Sequence, residues 1–103
     1  MSSIARWTTP SILYKPSAVQ MNTISEVILT VRQNGAVIIE KHKDDAVESE
    51  DGYRWGLSQE ESAALSSGLT TVLQIDYKCF DGLRYTTRPM RVDTLNSAKN
   101  EAI

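Results

Sequence analysis

Cysteine is nearly absent. Cys79 stands alone among 103 residues, so the chain cannot form an internal disulfide. That removes the disulfide-stapled secreted scaffolds and fits folding in a reducing cytoplasm. Long apolar runs are missing as well, and none approaches the ~20 residues that cross a bilayer as a helix. Residues 1–10 hold one Arg and no apolar core, so no signal peptide is read there. An excess of charge is also lacking. The 11 Lys and Arg residues nearly cancel the 13 Asp and Glu residues, which leaves no field to steer a polyanion. Neither nucleic acid nor a membrane is expected as a partner. There is no glycine-rich phosphate loop, no G-x-S-x-G, no H-E-x-x-H and no paired metal-ligand cysteine. No cofactor, metal site or catalytic residue is therefore expected, and the chain is not expected to be an enzyme.

What is present is an ordinary globular composition, 41% hydrophobic and 23% charged, sized for one domain over residues 1–103. Short alternating runs separated by turn residues dominate it. Val27, Leu29 and Val31 alternate with Ile28, Thr30 and Arg32, the period of a half-buried strand. Asn34-Gly35 follows, a strong signal for a two-residue hairpin turn, and Ala36 to Lys41 returns with Val37 and Ile39 on one face. A short strand is expected near Ala46 to Glu48, then a turn at Asp51-Gly52, then Tyr53, Trp55 and Leu57 along one face. Ser58 with Glu61 has the spacing of a capping box, and a short helix is expected over residues 59–65, stopped by Gly68. The longest strand is expected over residues 69–80. Leu69, Thr71, Leu73, Ile75, Tyr77 and Cys79 share its inner face. Asp81-Gly82 turns the chain into a last strand, residues 83–93, where Pro89 demands a bulge or an edge. Residues 1–10 read as an N-terminal arm, Ser11 to Lys15 as an edge strand between prolines, and residues 96–103 as a fraying tail.

About seven strands, turns every 8–12 residues and one short helix predict an all-β fold. The specific expectation is a small antiparallel β-sandwich of immunoglobulin-like design, with a small closed barrel as the rival.

The chemistry-bearing residues read mostly as structure. His42, the only histidine, sits between Lys41 and Lys43 with no evident acid to orient it, and is expected on the surface. Cys79 falls on an apolar face and reads as a core residue. Asp44, Asp45, Glu48, Glu50 and Asp51 lack calcium-loop spacing and read as a solvated edge. Arg84 and Arg88 share an outer face by parity, with Lys78 across from them. They are candidate protein contacts, as are Arg6, Trp7 and Pro10 of the arm, because a Trp in a polar arm must pack on its own domain or on a neighbour. Tyr53, Trp55 and Tyr85 could stack on a sugar if exposed, but parity turns them inward.

The order of short motifs resembles a group of small proteins encoded among tail genes of phages and prophages of Gram-positive bacteria. The motifs are Thr8-Thr9-Pro10 before Ile12 and Leu13, then Leu29 to Gly35 continuing to Glu40-Lys41. Leu57-Ser58-Gln59-Glu60-Glu61 ahead of Gly68 follows, then Asp81-Gly82 with Arg84. The likeness spans Arg6 to Val92. The chain is also similar to the N-terminal domain of phage baseplate upper proteins, without their long C-terminal extension, so a receptor-binding role is not implied. The resemblance implies a non-enzymatic structural or accessory protein of the tail or baseplate. Its partners would be other virion proteins or further copies of itself. It would be made in the host cytoplasm and carried, where packaged, in the virion. The alternative is a small prophage-encoded binding or regulatory protein that stays in the cell. No ligand or catalytic residue comes with the resemblance.

Overall fold

Strands take half of the chain in the computed structural model, which describes residues 3–103. Met1 and Ser2, the first positions of the expected arm, lie outside the described residues. The strands are β1 (Ser3–Ala5), β2 (Ser11–Tyr14), β3 (Ile24–Gln33), β4 (Ala36–His42), β5 (Val47–Ser49), β6 (Gly52–Gly56), β7 (Thr70–Cys79), β8 (Arg84–Thr86) and β9 (Met90–Leu95). One short helix, α1 (Gln59–Ala63), and 3-10 turns at Met21–Thr23 and Lys43–Asp45 complete the described elements. A six-stranded sheet is ordered β1-β9-β7-β3-β4, with β8 beside β7, and a three-stranded sheet is ordered β2-β6-β5. Among the described residues both sheets keep free ends, so the rival closed barrel does not form there.

The expectation of a wholly antiparallel fold of about seven strands needs correction. β1 pairs β9 in parallel, Ser3 opposite Asp93 and Ala5 opposite Leu95, so the larger sheet is mixed. The count rises to nine because residues 3–5 add an edge strand and because the last expected strand is cut in two before Met90.

Three bulges decide which way side chains face. At the start of β3, Ile24 opposes Cys79 and Glu26 opposes Lys78, leaving Ser25 over. Its hydroxyl donates to Lys78 O at 3.0 Å, and the extra residue lets Ile24 and Val27 both point inward. In β4, Val31 opposes Ile39 but Arg32 opposes Val37, so Ile38 is extra. This overturns the shared face read for Val37 and Ile39: Ile39 is buried and Val37 is half-exposed. Between β8 and β9 the pairing moves from Asp76–Thr86 to Leu73–Met90, one residue out of step, which is the interruption that Pro89 demanded. The Asn34-Gly35 turn forms with φ of 51° and 76°, the left-handed pair of a tight hairpin.

The capping box at the head of α1 also forms. Glu61 N–H donates to Ser58 Oγ at 3.1 Å, and Ser58 N–H donates to Glu61 Oε1 at 2.9 Å. The helix is shorter than read, because Ala64 already closes it; Gly68, with φ of 79°, instead shapes the turn before β7 and donates to Thr94 O.

One core cluster joins the two sheets. Val27, Leu29, Val31, Leu73, Ile75 and Tyr77 come from the larger sheet, Tyr53 and Trp55 from the smaller, and Leu57 and Leu65 from the helix region. Trp55 is fully buried, and its indole N–H donates to His42 O at 3.0 Å, which ties β6 to the end of β4. The same inner parity that buries Val27, Leu29 and Val31 also buries Gln33. The Gln33 amide accepts from Ser66 N–H at 2.9 Å, and its Nε2 donates to Ser66 O at 3.0 Å and to Thr71 Oγ1 at 2.9 Å. Thr71 and Thr94, both buried, share a further hydrogen bond. The loop after α1 is pinned by this cluster.

Gly52 marks the closest approach of β6 to the chain leaving β2. Its φ is 118°, and a Cβ there would stand 2.3 Å from Tyr14 O. We expect Gly52→Ala to lower the unfolding free energy by more than about 1 kcal/mol, since both conformation and space oppose it. Gln33→Ala should cost about 1–3 kcal/mol, because Ser66 N–H and Thr71 lose their buried partner. Urea unfolding followed by tryptophan fluorescence measures both, and a variant as stable as the parent would contradict the stated cause.

Candidate interaction surfaces

The arm of residues 3–10 lies along its own fold. Ile4 is fully buried, and Arg6 N–H donates to Leu95 O at 2.7 Å. The Arg6 guanidinium caps the C-terminal end of α1, donating to Ala63 O at 2.9 and 3.3 Å, and reaches Asn96 and Asn100. Trp7 is half-buried with φ of 63°, a conformation uncommon for a bulky residue. It sits where the chain crosses from the larger sheet to the smaller. Ser62, buried in α1, accepts from Thr8 N–H and donates to Thr8 O at 2.7 Å, and Pro10 O accepts from Leu57 N–H. The tail expected to fray is held by polar contacts: Gln59 exchanges two hydrogen bonds with Ile103, at 2.8 and 3.2 Å.

Arg84 and Arg88 do not share the face that parity gave them. Arg84 stands opposite Lys78 and lines a shallow depression on the outer face of the larger sheet, with Glu26, Ile28, Asp76 and Tyr77. Arg88 falls in the β8–β9 bulge and lines a different hollow. That hollow, about 140 Å³, is walled by Ile12, Leu13 and Tyr14 of β2, by Leu73 and Ile75 of β7, and by Met90. It opens between the edge strand of the smaller sheet and the bulge, leaving Met90 half-exposed although its parity is inward.

His42 corrects the reading that no acid orients it. Register sets it beside two acids: Nε2 is 2.9 Å from Glu40 Oε2, and Nδ1 is 3.6 Å from Glu26 Oε1. Glu40 lies two residues before it on the same face of β4, and the β3–β4 register, with His42 opposite Ile28, brings Glu26 alongside. The ring is 44% exposed on an open sheet face. The hydrogen bond with Glu40 pushes its pKa above the usual 6.5, partial burial opposes, and the charges of Glu40 and Glu26 add to the rise. Asp45, from the acidic run, accepts from His42 N–H at 2.8 Å and so serves the backbone. Among the described residues no three His, Cys, Asp or Glu side chains are grouped as a metal would need.

Sequence reasoning also missed the Lys41–Glu61 pair, at 2.6 Å, with both side chains largely covered. Burial pushes the Glu61 carboxyl up, but the Lys41 ammonium and Ser58 outweigh it and hold it below the usual range. Tyr53 and Trp55 are buried and stacked, with Tyr85 half-buried against Tyr77 at 5.1 Å, so none offers an open sugar platform. Burial and the Glu48 charge push the Tyr53 hydroxyl up to about 12, and burial beside Tyr77 does the same for Tyr14. Cys79 is buried and free. No described helix is long and apolar enough to cross a membrane.

Large apolar side chains are exposed at strand edges and hairpin ends: Leu13 in β2, Val37 in β4, Val47 in β5, and Phe80 and Leu83 beside the β7–β8 turn. Comparison with protein-family models, with curated proteins and with solved structures finds no match for the chain.

The raised pKa of His42 sets a sign for pH dependence. A folded value above the unfolded one stabilises the fold fully below pH 6.5, and this stabilisation is lost as pH rises through the folded value. We expect the His42 ring protons, followed by NMR, to titrate with a midpoint above 6.5, and Glu40→Gln to bring the midpoint down. An equal midpoint in both proteins would deny the Glu40 contact.

Proposed function

We propose that the two sheets form an immunoglobulin-like sandwich, and that the chain is a non-enzymatic structural or accessory protein of a phage or prophage of Gram-positive bacteria. It acts through contacts with other proteins, in the tail or baseplate. The observation that carries this reading is where the exposed apolar side chains lie. Leu13, Val37, Val47, Phe80 and Leu83 sit on strand edges and at a hairpin end, the parts of a small sandwich that meet neighbours. The shared core between the sheets, with Trp55 buried inside it, supports the sandwich. The motif order from Thr8-Thr9-Pro10 to Asp81-Gly82 supports the phage origin. The depression at Arg84 is open to solvent, and the one histidine with paired acids sits on an open sheet face. Contact suits such surfaces better than turnover.

Particles purified after prophage induction provide the test. Mass spectrometry of their proteins should find this chain at a fixed ratio to the tail proteins. Its absence from particles, while it is abundant in the lysate, would overturn the structural role and leave the cell-retained regulator as the better reading.

A further inference from the structure

The two free edges of the smaller sheet differ in charge. At one edge, β2 has no acidic residue on either side: Lys15 follows it and the chain has no Asp or Glu before Glu26. Arg54 leans toward this edge, donating to Ser11 Oγ at 3.3 Å, and Arg88 lines the hollow behind it. At the other edge, β5 is framed by Asp44, Asp45, Glu48, Glu50 and Asp51 with no basic residue between them. The exposed apolar residues of the two edges lie in one row. Leu13 and Val47 both stand opposite Arg54, so all three side chains share the outer face, Leu13 49% and Val47 70% exposed.

The free backbone groups match as well. Pro10 O accepts from Leu57 N–H, so by antiparallel alternation Ile12 and Tyr14 bond to β6 while Ser11 and Leu13 face outward. The same alternation on the far side of β6 turns the Glu48 N–H and C=O outward from β5. Both β2 and β5 run antiparallel to β6, hence parallel to each other.

We propose that copies of this chain associate head to tail through the smaller sheet, β5 of one copy adding in parallel beside β2 of the next. Val47 then lies beside Leu13 of the next copy and continues the outer row. Glu48 faces that copy's edge between Leu13 and Lys15, and its side chain points to the side of Tyr14, where its carboxylate meets Arg88. The interface is heterologous, so it propagates into a ring or a filament and does not close as a two-fold dimer. Two β2 edges would bring like charges together, and so would two β5 edges, which disfavours the isologous alternative. This rests on the protein-contact part of the proposed function, but its failure would leave packaging untouched.

Two variants separate the edges. Leu13→Lys blocks the β2 edge and Val47→Lys blocks the β5 edge; both residues are exposed, so circular dichroism should match the parent. Mass is read by light scattering after size exclusion, at concentrations up to about 1 mM because short edges make weak contacts. The parent is expected to grow in mass with concentration, less so as salt is raised. Each variant alone should hold at the 11.5 kDa monomer. Mixed, the two should form a dimer of twice that mass and stop, since one live edge of each remains. Exchanging the charges, as Glu48→Arg with Arg88→Glu in one chain, should restore the growth that either change alone removes. A parent that stays monomeric at every concentration, or a single-edge variant that dimerises by itself, would overturn the proposal.

Discussion

β3 and β7 pair along their whole length, Ile24 opposite Cys79 at one end and Gln33 opposite Thr71 at the other. This register sets one inner row of Val27, Leu29 and Val31 against Tyr77, Ile75 and Leu73, and that row is the floor on which Trp55 and Tyr53 pack. A slip of β3 by one residue would turn its apolar row outward and bury Glu26, Ile28 and Thr30 in its place. Nothing else in the molecule tolerates that. Apolar burial fixes the middle of the pair, while the Gln33 amide fixes its end. Gln33 satisfies both backbone groups of Ser66 and meets Thr71, so it holds its hydrogen bonds in one register only. The loop from α1 to β7, and through Ser62 and Ala63 the chain entering β2, are hung from that end.

The parts of this fold that follow strict alternation were open to reading from the residues. β3, β6 and β7 face as the pattern of two requires, the Asn34-Gly35 turn takes its left-handed conformation, and Ser58 with Glu61 caps α1 as spaced. What stayed hidden lies where one residue is added. The extra Ile38 inverts the facing of Val37, and the extra residue in the Arg88–Pro89 bulge separates Arg88 from Arg84. Pro89 announced the second bulge because proline cannot join a ladder, whereas Ile38 carries no such mark. The parallel pairing of β1 was equally unmarked, since three residues are too few to show a period. Gln33 did leave a signal. A polar residue continuing an inner apolar parity, with Thr71 at the matching position of the partner strand, is the pattern of a buried hydrogen-bonded pair.

The surface follows from the same geometry. Register brings Glu26, Glu40 and His42 together on the open side of β3 and β4, and it leaves Lys41 on the opposite side, where α1 provides Glu61. Neighbours in sequence thus serve different ends: Lys41 locks the helix to the sheet, while His42 adds a pH-sensitive contact that solvent reaches.

A sheet edge with unpaired backbone groups will pair with whatever strand approaches, and charge decides which strand that is. The smaller sheet has one edge surrounded by cations and another surrounded by carboxylates, so each repels its own kind. That arrangement protects the free chain against indiscriminate edge pairing, because a random encounter brings like edges together as often as unlike ones. It leaves one productive encounter, between unlike edges running in the same direction. The hollow between β2 and the Arg88 bulge belongs to this logic. The added residue before Met90 opens the core beside the basic edge, so an incoming strand would cover Met90 and Tyr14 as well as bond to the backbone. The bulge costs the larger sheet a rung of its ladder, and a neighbour's strand laid over the hollow would offset that loss with buried apolar surface.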